Sequence, residues 1–112
     1  MTPKFTAPLV LSVLSLGLLF AAPAAADPDS VFAEELHTYG IYGQKDYNAW
    51  IAKITCKRLY KNVDHNAFES ADFVHTNLAK DSTTAQAWQF LAAALRTYCP
   101  EKLAVLQDAT KP

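Results

Sequence analysis

The first 26 residues constrain this fold most, because their pattern sets them apart as a leader and leaves only 86 of the 112 residues for a folded domain. Lys4 gives a positive start, an apolar stretch follows over residues 5–21, and Ala24 and Ala26 supply small side chains. This order is typical of a secretory signal peptide. We therefore predict a signal peptide over residues 1–26. An uncleaved membrane anchor is the alternative, and an apolar run shorter than about 20 residues disfavours it.

Export determines how the two cysteines are interpreted. Disulfide bonds persist outside the cytoplasm, and two cysteines with none left over predict one bond, Cys56–Cys99. Free thiols and a metal site are the alternatives, but zinc takes about four ligands and the sequence has no CxxC or HxxxH spacing. We expect a protein that is secreted, extracellular or in the cell envelope, without a transmembrane anchor after cleavage.

Composition excludes several classes of function. Beyond the leader the chain has nine Lys and Arg against eleven Asp and Glu, a net charge of −2. A nucleic-acid binder would show a basic excess, so we expect no nucleic-acid partner. Abundant Leu, Ile, Phe, Tyr and Trp argue against disorder. The sequence has only three histidines and no glycine-rich loop, so it offers few candidate catalytic residues. We expect neither enzymatic activity nor a cofactor.

Apolar residues recur with the 3.6-residue period of α-helices in four segments, so the sequence predicts an all-α bundle of four short helices stapled by the disulfide. The first three segments span about residues 29–39, 46–62 and 66–79. The fourth begins at a capping box, Thr83-x-x-Gln86, in which each side chain accepts a hydrogen bond from the other residue's backbone N–H, and it continues to Tyr98.

The domain is expected to cover residues 27–100, with a short tail over 101–112. The tail can give one more helical turn through Leu103 and Leu106, and we expect residues 101–112, which end in Ala-Thr-Lys-Pro, to be frayed.

Several motifs resemble a known family. They are the alanine-rich leader ending in Ala26-Asp27-Pro28, the stretch Tyr39-Gly40-Ile41-Tyr42 after an early helix, the mid-helix Cys56, and the closing Ala94-x-x-x-Tyr98-Cys99-Pro100. The chain resembles the small secreted actinobacterial, chiefly mycobacterial, family catalogued as domain of unknown function 732, over about residues 27–100. The resemblance implies a compact exported helical domain with one disulfide and no established catalytic residues. More Lys, Asn and aromatic residues than the family's usual pattern, notably around Trp50 and Tyr60, favour a surface particular to this chain.

The second predicted helix carries the strongest functional signal, a basic and aromatic stripe. Its members are Tyr47, Trp50, Ile54, Lys53, Lys57 and Lys61. Residues 45–61 hold five basic groups and one acid, a net charge of +4. An exposed face of this kind suits an anionic lipid, a glycan or a protein partner. In the alternative, Trp50 and Ile54 pack under the first helix or the tail. Tyr60 falls on the other apolar half of this helix, with Ile51, Ala52, Thr55, Cys56 and Leu59. The preferred function is a non-enzymatic envelope or extracellular interaction module.

His75 is the most informative histidine, because it falls within the apolar arc of the third predicted helix. A half-buried imidazole can ligate haem iron or another metal, or respond to pH. More often such a ring hydrogen-bonds to a carbonyl or to a nearby acid, here Asp72. The alternative function is therefore a carrier of a small apolar ligand such as haem, contacted by His75 and by aromatic side chains.

Overall fold

The computed structural model describes residues 27–111, and within that range the chain is helical with no strand. The helices are α1 (Pro28–Thr38), α2 (Lys45–Tyr60), α3 (Ala67–Asn77), α4 (Thr84–Tyr98) and the short α5 (Ala104–Asp108), with a 3₁₀ turn over Pro100–Lys102. The predicted all-α fold is confirmed. The predicted signal peptide, residues 1–26, lies outside the described residues. None of the helices described combines the length and hydropathy required to cross a bilayer.

Local hydrogen bonds explain where three helices begin. The side chains of Asp27 and Asn66 accept hydrogen bonds from backbone N–H groups in the first turns of α1 and α3. At α4 the predicted capping box is present: the Thr83 N–H donates to Oε1 of Gln86 at 2.9 Å, and the Gln86 N–H donates to Oγ1 of Thr83 at 3.0 Å. Such caps satisfy N–H groups that have no partner within the helix.

The core lies around α4, which packs against α1, α2 and α3. Phe32 of α1 is fully buried and contacts Phe90 and Tyr98 edge to face, with ring centroids 5.2 and 5.4 Å apart. Burying one such ring contributes roughly 1.5–3 kcal/mol. Ala93 and Ala94 are also fully buried. Their small side chains leave room for the neighbouring helices close to the α4 backbone.

The disulfide joins the middle of α2 to the residue that follows α4. Cys56 and Cys99 are bonded with their Cα atoms 6.0 Å apart, as the sequence predicts. Both cysteines are buried, and Leu59, Leu91 and Leu95 pack in the same cluster. The bond therefore closes the end of the core opposite the capping box.

The tail forms the predicted extra turn, but it is packed against the bundle. Leu103, Val105, Leu106 and Ala109 are partly buried against the cluster around the disulfide. The expectation of a frayed tail is thus corrected over these four residues. The physical reason is that their apolar side chains lose water-exposed surface against α3 and the cysteines, which a short helix needs for stability.

Candidate functional site

The aromatic and the basic side chains of the predicted stripe lie on the solvent-exposed side of α2. Trp50 is 57% exposed and Tyr47 40% exposed. The three lysines are exposed and Ile54 is half-buried. We call these six residues the aromatic-basic face: Tyr47, Trp50, Lys53, Ile54, Lys57 and Lys61. Trp50 is therefore not packed under α1 or the tail.

Helix geometry produces this arrangement. Successive side chains on a helix diverge by about 100°, so the buried residues of α2 gather on one side. These are Asn48, Ala49, Ile51, Ala52, Thr55, Cys56 and Leu59. This side of α2 packs against the core, and the Trp50 indole lies outside that packing. The aromatic-basic face is consequently a free surface of a rigid element.

Ion pairs divide the lysines of α2 into two groups. Lys53 Nζ lies 3.3 Å from Oδ2 of Asp29, and Lys45 Nζ lies 3.9 Å from Oδ2 of Asp27. The acidic start of α1 thus offsets the first two lysines. Within residues 27–111, neither Lys57 nor Lys61 has a carboxylate within 4 Å. The unbalanced positive charge of α2 is concentrated in its last two turns and just beyond.

Tyr47 borders the face at its other end. Its hydroxyl donates to the backbone carbonyl of Asn77 at 3.1 Å, and its ring centroid lies 6.1 Å from that of Trp50. This hydrogen bond fixes the phenol against the end of α3. Tyr47 therefore supplies a fixed aromatic edge beside the more exposed indole.

A groove adjoins the aromatic-basic face along α2. It has a volume of about 370 Å³ and is lined by Lys53, Cys56, Lys57, Tyr60, Lys61 and Tyr98. Tyr60 is 52% exposed, although the helical period places it on the same half of α2 as the buried Ile51 and Cys56. It lies in the last turn of α2, at the edge of the buried side. Lys102 Nζ sits 4.9 Å from the centre of its ring. We call this depression the Tyr60–Tyr98 groove.

The other wall of the groove is fixed by a carboxylate. The hydroxyl of Tyr98 donates to Oδ1 of Asp29. This hydrogen bond is the main factor that lowers the pKa of Asp29, and Lys53 lowers it further. Burial, followed by the same hydrogen bond, raises the pKa of Tyr98 above the usual range of a phenol. Tyr98 thus stays neutral, and its hydroxyl is committed to Asp29.

His75 makes the carbonyl contact that the sequence analysis gave as the alternative to a ligand role. The ring is half-buried, and its Nε2 donates to the backbone carbonyl of Ser82 at 2.9 Å. An open depression of about 340 Å³ beside it is lined by Phe68, Ala71, Asp72, Thr84, Ala87 and Trp88. Over residues 27–111, no three His, Cys, Asp or Glu side chains group together as metal ligands would. In this geometry His75 links α3 to the loop before α4.

Asp64 is a buried charge that sequence reasoning missed. Its carboxylate, 2% exposed, accepts two hydrogen bonds from Arg58, at 2.8 and 3.0 Å, and one from the Ser70 hydroxyl at 3.0 Å. The pKa of Arg58 is raised, chiefly by this hydrogen bonding. The contacts connect the end of α2 to α3 across a loop, where no helical period predicts them. Through these contacts Asp64 holds the end of α2 against α3.

Comparison with known proteins assigns the family. Residues 26–101 match the family model described as "Protein of unknown function (DUF732)". The chain belongs to the DUF732 family. The matched region of this DUF732 protein contains both cysteines, α1 to α4 and the whole aromatic-basic face. Lys102 and α5 lie beyond it.

Two Mycobacterium tuberculosis proteins are close relatives. "Uncharacterized protein MT0585" of strain CDC 1551 / Oshkosh and "Uncharacterized protein Rv0559c" of strain ATCC 25618 / H37Rv are each 48% identical to this DUF732 protein over 102 residues. The alignments cover 90% of this chain and 91% of each relative. No solved structure gives a significant match.

Proposed function

We propose that this DUF732 protein is an exported, non-enzymatic interaction module that docks onto an anionic lipid surface of the cell envelope through its aromatic-basic face. The observation that carries the proposal is the placement of Trp50. Its indole is 57% exposed on the same side of α2 as Lys57 and Lys61, whose charges have no carboxylate partner among the described residues.

The two kinds of side chain act together at a lipid surface. Tryptophan favours the interface between water and acyl chains, because its ring is apolar and its N–H is polar. Each lysine close to an anionic leaflet contributes about 1 kcal/mol of attraction. Residues 45–61 carry +4 whereas the rest of the chain after residue 26 carries −6. Attraction to an anionic surface is therefore confined to the segment that contains this face.

Among the three partner classes expected from the sequence, the chemistry of the face favours lipid. Exposed aromatic rings can also stack on a sugar ring, but the charges of Lys57 and Lys61, unpaired over the described range, favour an anionic partner over a neutral glycan. A protein partner would need a surface of its own that matches this one. A lipid surface needs only negative charge and an accessible apolar layer, and both are matched here.

The test is co-sedimentation of the oxidised, exported protein with vesicles. We expect binding to vesicles that contain phosphatidylglycerol and little binding to vesicles of phosphatidylcholine alone. The double variant Lys57→Glu and Lys61→Glu should lose binding to the anionic vesicles without a change in melting temperature, since both side chains are exposed.

The matched control is Lys80→Glu with Lys111→Glu, which changes the net charge equally but lies outside α2. It should retain most of the binding. Equal loss in both double variants would show that net charge alone drives the association, and unchanged binding in the first would contradict the proposal. Selective capture of an envelope protein or a glycan, with no binding to vesicles, would replace lipid as the partner.

A further inference from the structure

We propose that the Tyr60–Tyr98 groove holds one acyl chain of a phosphate-bearing lipid, with the phosphate bound between Lys57 and Lys61. This inference rests on the proposed function and goes one step further, because it names a site for a single lipid molecule. The groove and the aromatic-basic face share the lysines Lys53, Lys57 and Lys61. A lipid in the docked surface would therefore lie beside the opening of the groove.

The walls of the groove suit an alkyl chain. Tyr60 and Tyr98 provide aromatic rings, and the buried disulfide residue Cys56 lies along the same stretch of α2. The hydroxyl of Tyr98 is already bonded to Asp29, so this residue offers the groove its apolar ring rather than a polar group. The volume of about 370 Å³ is within the range of small-molecule sites.

The rim of the groove suits a phosphate. Lys57 and Lys61 are four residues apart, and side chains at this spacing are neighbours on a helix or its immediate continuation. Their ammonium groups can reach one anion from the same side, and lysine is well suited to phosphate as a compact charge. Lys102, above the ring of Tyr60, adds a further positive charge at this end.

The only carboxylate that contacts the lining residues through the described ion pairs and hydrogen bonds is already neutralised. Asp29 is bound by Lys53 at 3.3 Å and by the Tyr98 hydroxyl. Lys53 is consequently occupied, and the anion-binding capacity of the groove lies with Lys57 and Lys61. The site is thus apolar along its length and positive along one edge. These properties complement the alkyl chain and the negative head group of a single-chain anionic amphiphile.

The test uses decyl phosphate below its micelle concentration as a soluble probe. Titration into the oxidised protein, followed by amide chemical shifts and calorimetry, should perturb residues around Cys56 and Tyr60. Tyr60→Ala removes one wall and should weaken binding about tenfold, since an aromatic contact and its apolar area are lost together. Tyr60→Phe keeps the wall and should bind as the wild type does.

Two further probes separate chain recognition from charge recognition. Inorganic phosphate and the neutral decyl glucoside should each bind far more weakly than decyl phosphate. Equal binding of inorganic phosphate, equal binding of Tyr60→Ala, or shifts confined to other regions would each overturn the groove proposal. Wild-type chemical shifts and the Phe variant keep the test decisive even if Tyr60→Ala is unstable.

The vesicle assay distinguishes the two proposals. If Tyr60→Ala still binds anionic vesicles while decyl phosphate fails to bind the wild type, the docking function stands and the groove proposal fails. If decyl phosphate binds but the wild type does not associate with anionic vesicles, docking to a lipid surface fails, and the groove is a site for a free anionic amphiphile.

Discussion

The hydroxyl of Tyr98 donates a 2.5 Å hydrogen bond to Oδ1 of Asp29, which ties the last turn of α4 to the first turn of α1. Lys53 of α2 approaches the other oxygen of the same carboxylate, and the Asp29 side chain is 23% exposed. Three helices therefore converge on one partly buried charge. The same contact holds the Tyr98 ring as a wall of the groove, so it joins the stability of the bundle to the shape of the candidate site.

Tyr98→Phe should change the alkaline stability of the protein. The folded state raises the pKa of Tyr98, chiefly by burial, so the contribution of this group is fully present below the ordinary phenol pKa of about 10 and is lost as the pH rises through the folded value. Wild-type stability should therefore fall above about pH 10. The variant should be about 1–2 kcal/mol less stable at neutral pH and should show a shallower fall in alkali.

Urea unfolding between neutral pH and pH 11 measures both effects. Tyr42→Phe, at a residue that is 69% exposed, is the control and should leave both the stability and its slope unchanged. Tyr39 also has a raised pKa, through its hydrogen bond to Glu35, so part of the alkaline slope should remain in Tyr98→Phe. An unaltered slope in Tyr98→Phe would contradict the assignment.

Removing the disulfide should take away a large share of the stability. Closing the 43-residue separation between Cys56 and Cys99 contributes about 4 kcal/mol in the chain-entropy model. A domain of this size has a total stability of roughly 4–13 kcal/mol. Cys56→Ala with Cys99→Ala should therefore melt far below the wild type and be partly unfolded at body temperature. Thermal circular dichroism measures the melting temperatures, and the reduced wild type should melt close to the double variant. A double variant that melts at the same temperature as the oxidised wild type would contradict the prediction.

Local patterns explain which features the sequence could predict. The four main helices and the Thr83–Gln86 capping box depend on residues within one or two turns, and all are present in the structure. The disulfide followed from there being only two cysteines in a chain with a predicted export signal. The Tyr98–Asp29 hydrogen bond joins residues 69 positions apart, and no local period carries that information.

Packing at helix ends explains two features that the sequence did not predict, the exposure of Tyr60 and the order of the tail. Tyr60 has the angular position of a residue at the edge of the buried side, and only the end of α2 decides that its ring is exposed. The tail was expected to be frayed, yet its apolar residues pack around the disulfide cluster. Both cases need the positions of neighbouring elements, which a single helical pattern does not contain.

Asp64→Ala should destabilise the protein strongly although it touches neither the groove nor the aromatic-basic face. The substitution leaves Arg58 and the Ser70 hydroxyl without their partner in a buried setting. Breaking such a buried pair costs about 3–5 kcal/mol, and the partial exposure of Arg58 places the expected loss at the lower end. Urea unfolding measures it. Asp72→Ala, an exposed acid on α3, should change stability by less than about 0.5 kcal/mol; similar losses would show that Asp64 has no special role.

His75→Ala separates a structural role from the alternative function as a haem carrier. The hydrogen bond from Nε2 to the Ser82 carbonyl places His75 in the packing of α3 against the next loop, and the depression beside the ring is open to solvent. We therefore expect added haem to give no Soret band that depends on His75. The variant should instead lose about 1 kcal/mol of stability with the hydrogen bond. Absorbance titration and urea unfolding test the two readouts. A Soret band in the wild type that disappears in His75→Ala would favour the carrier.

Trp50 should report directly on docking to lipid. In a Trp88→Phe background the fluorescence comes from Trp50, and its emission should shift to shorter wavelength on anionic vesicles as the exposed indole leaves water. The shift should weaken when salt is raised well above 0.1 M, because exposed charges are then screened over less than about 10 Å. Trp50→Ala should weaken vesicle binding while leaving the melting temperature nearly unchanged, since the core does not use this ring. Binding of Trp50→Ala equal to that of the wild type, or a wavelength shift that salt does not affect, would remove Trp50 and the lysines as the docking surface.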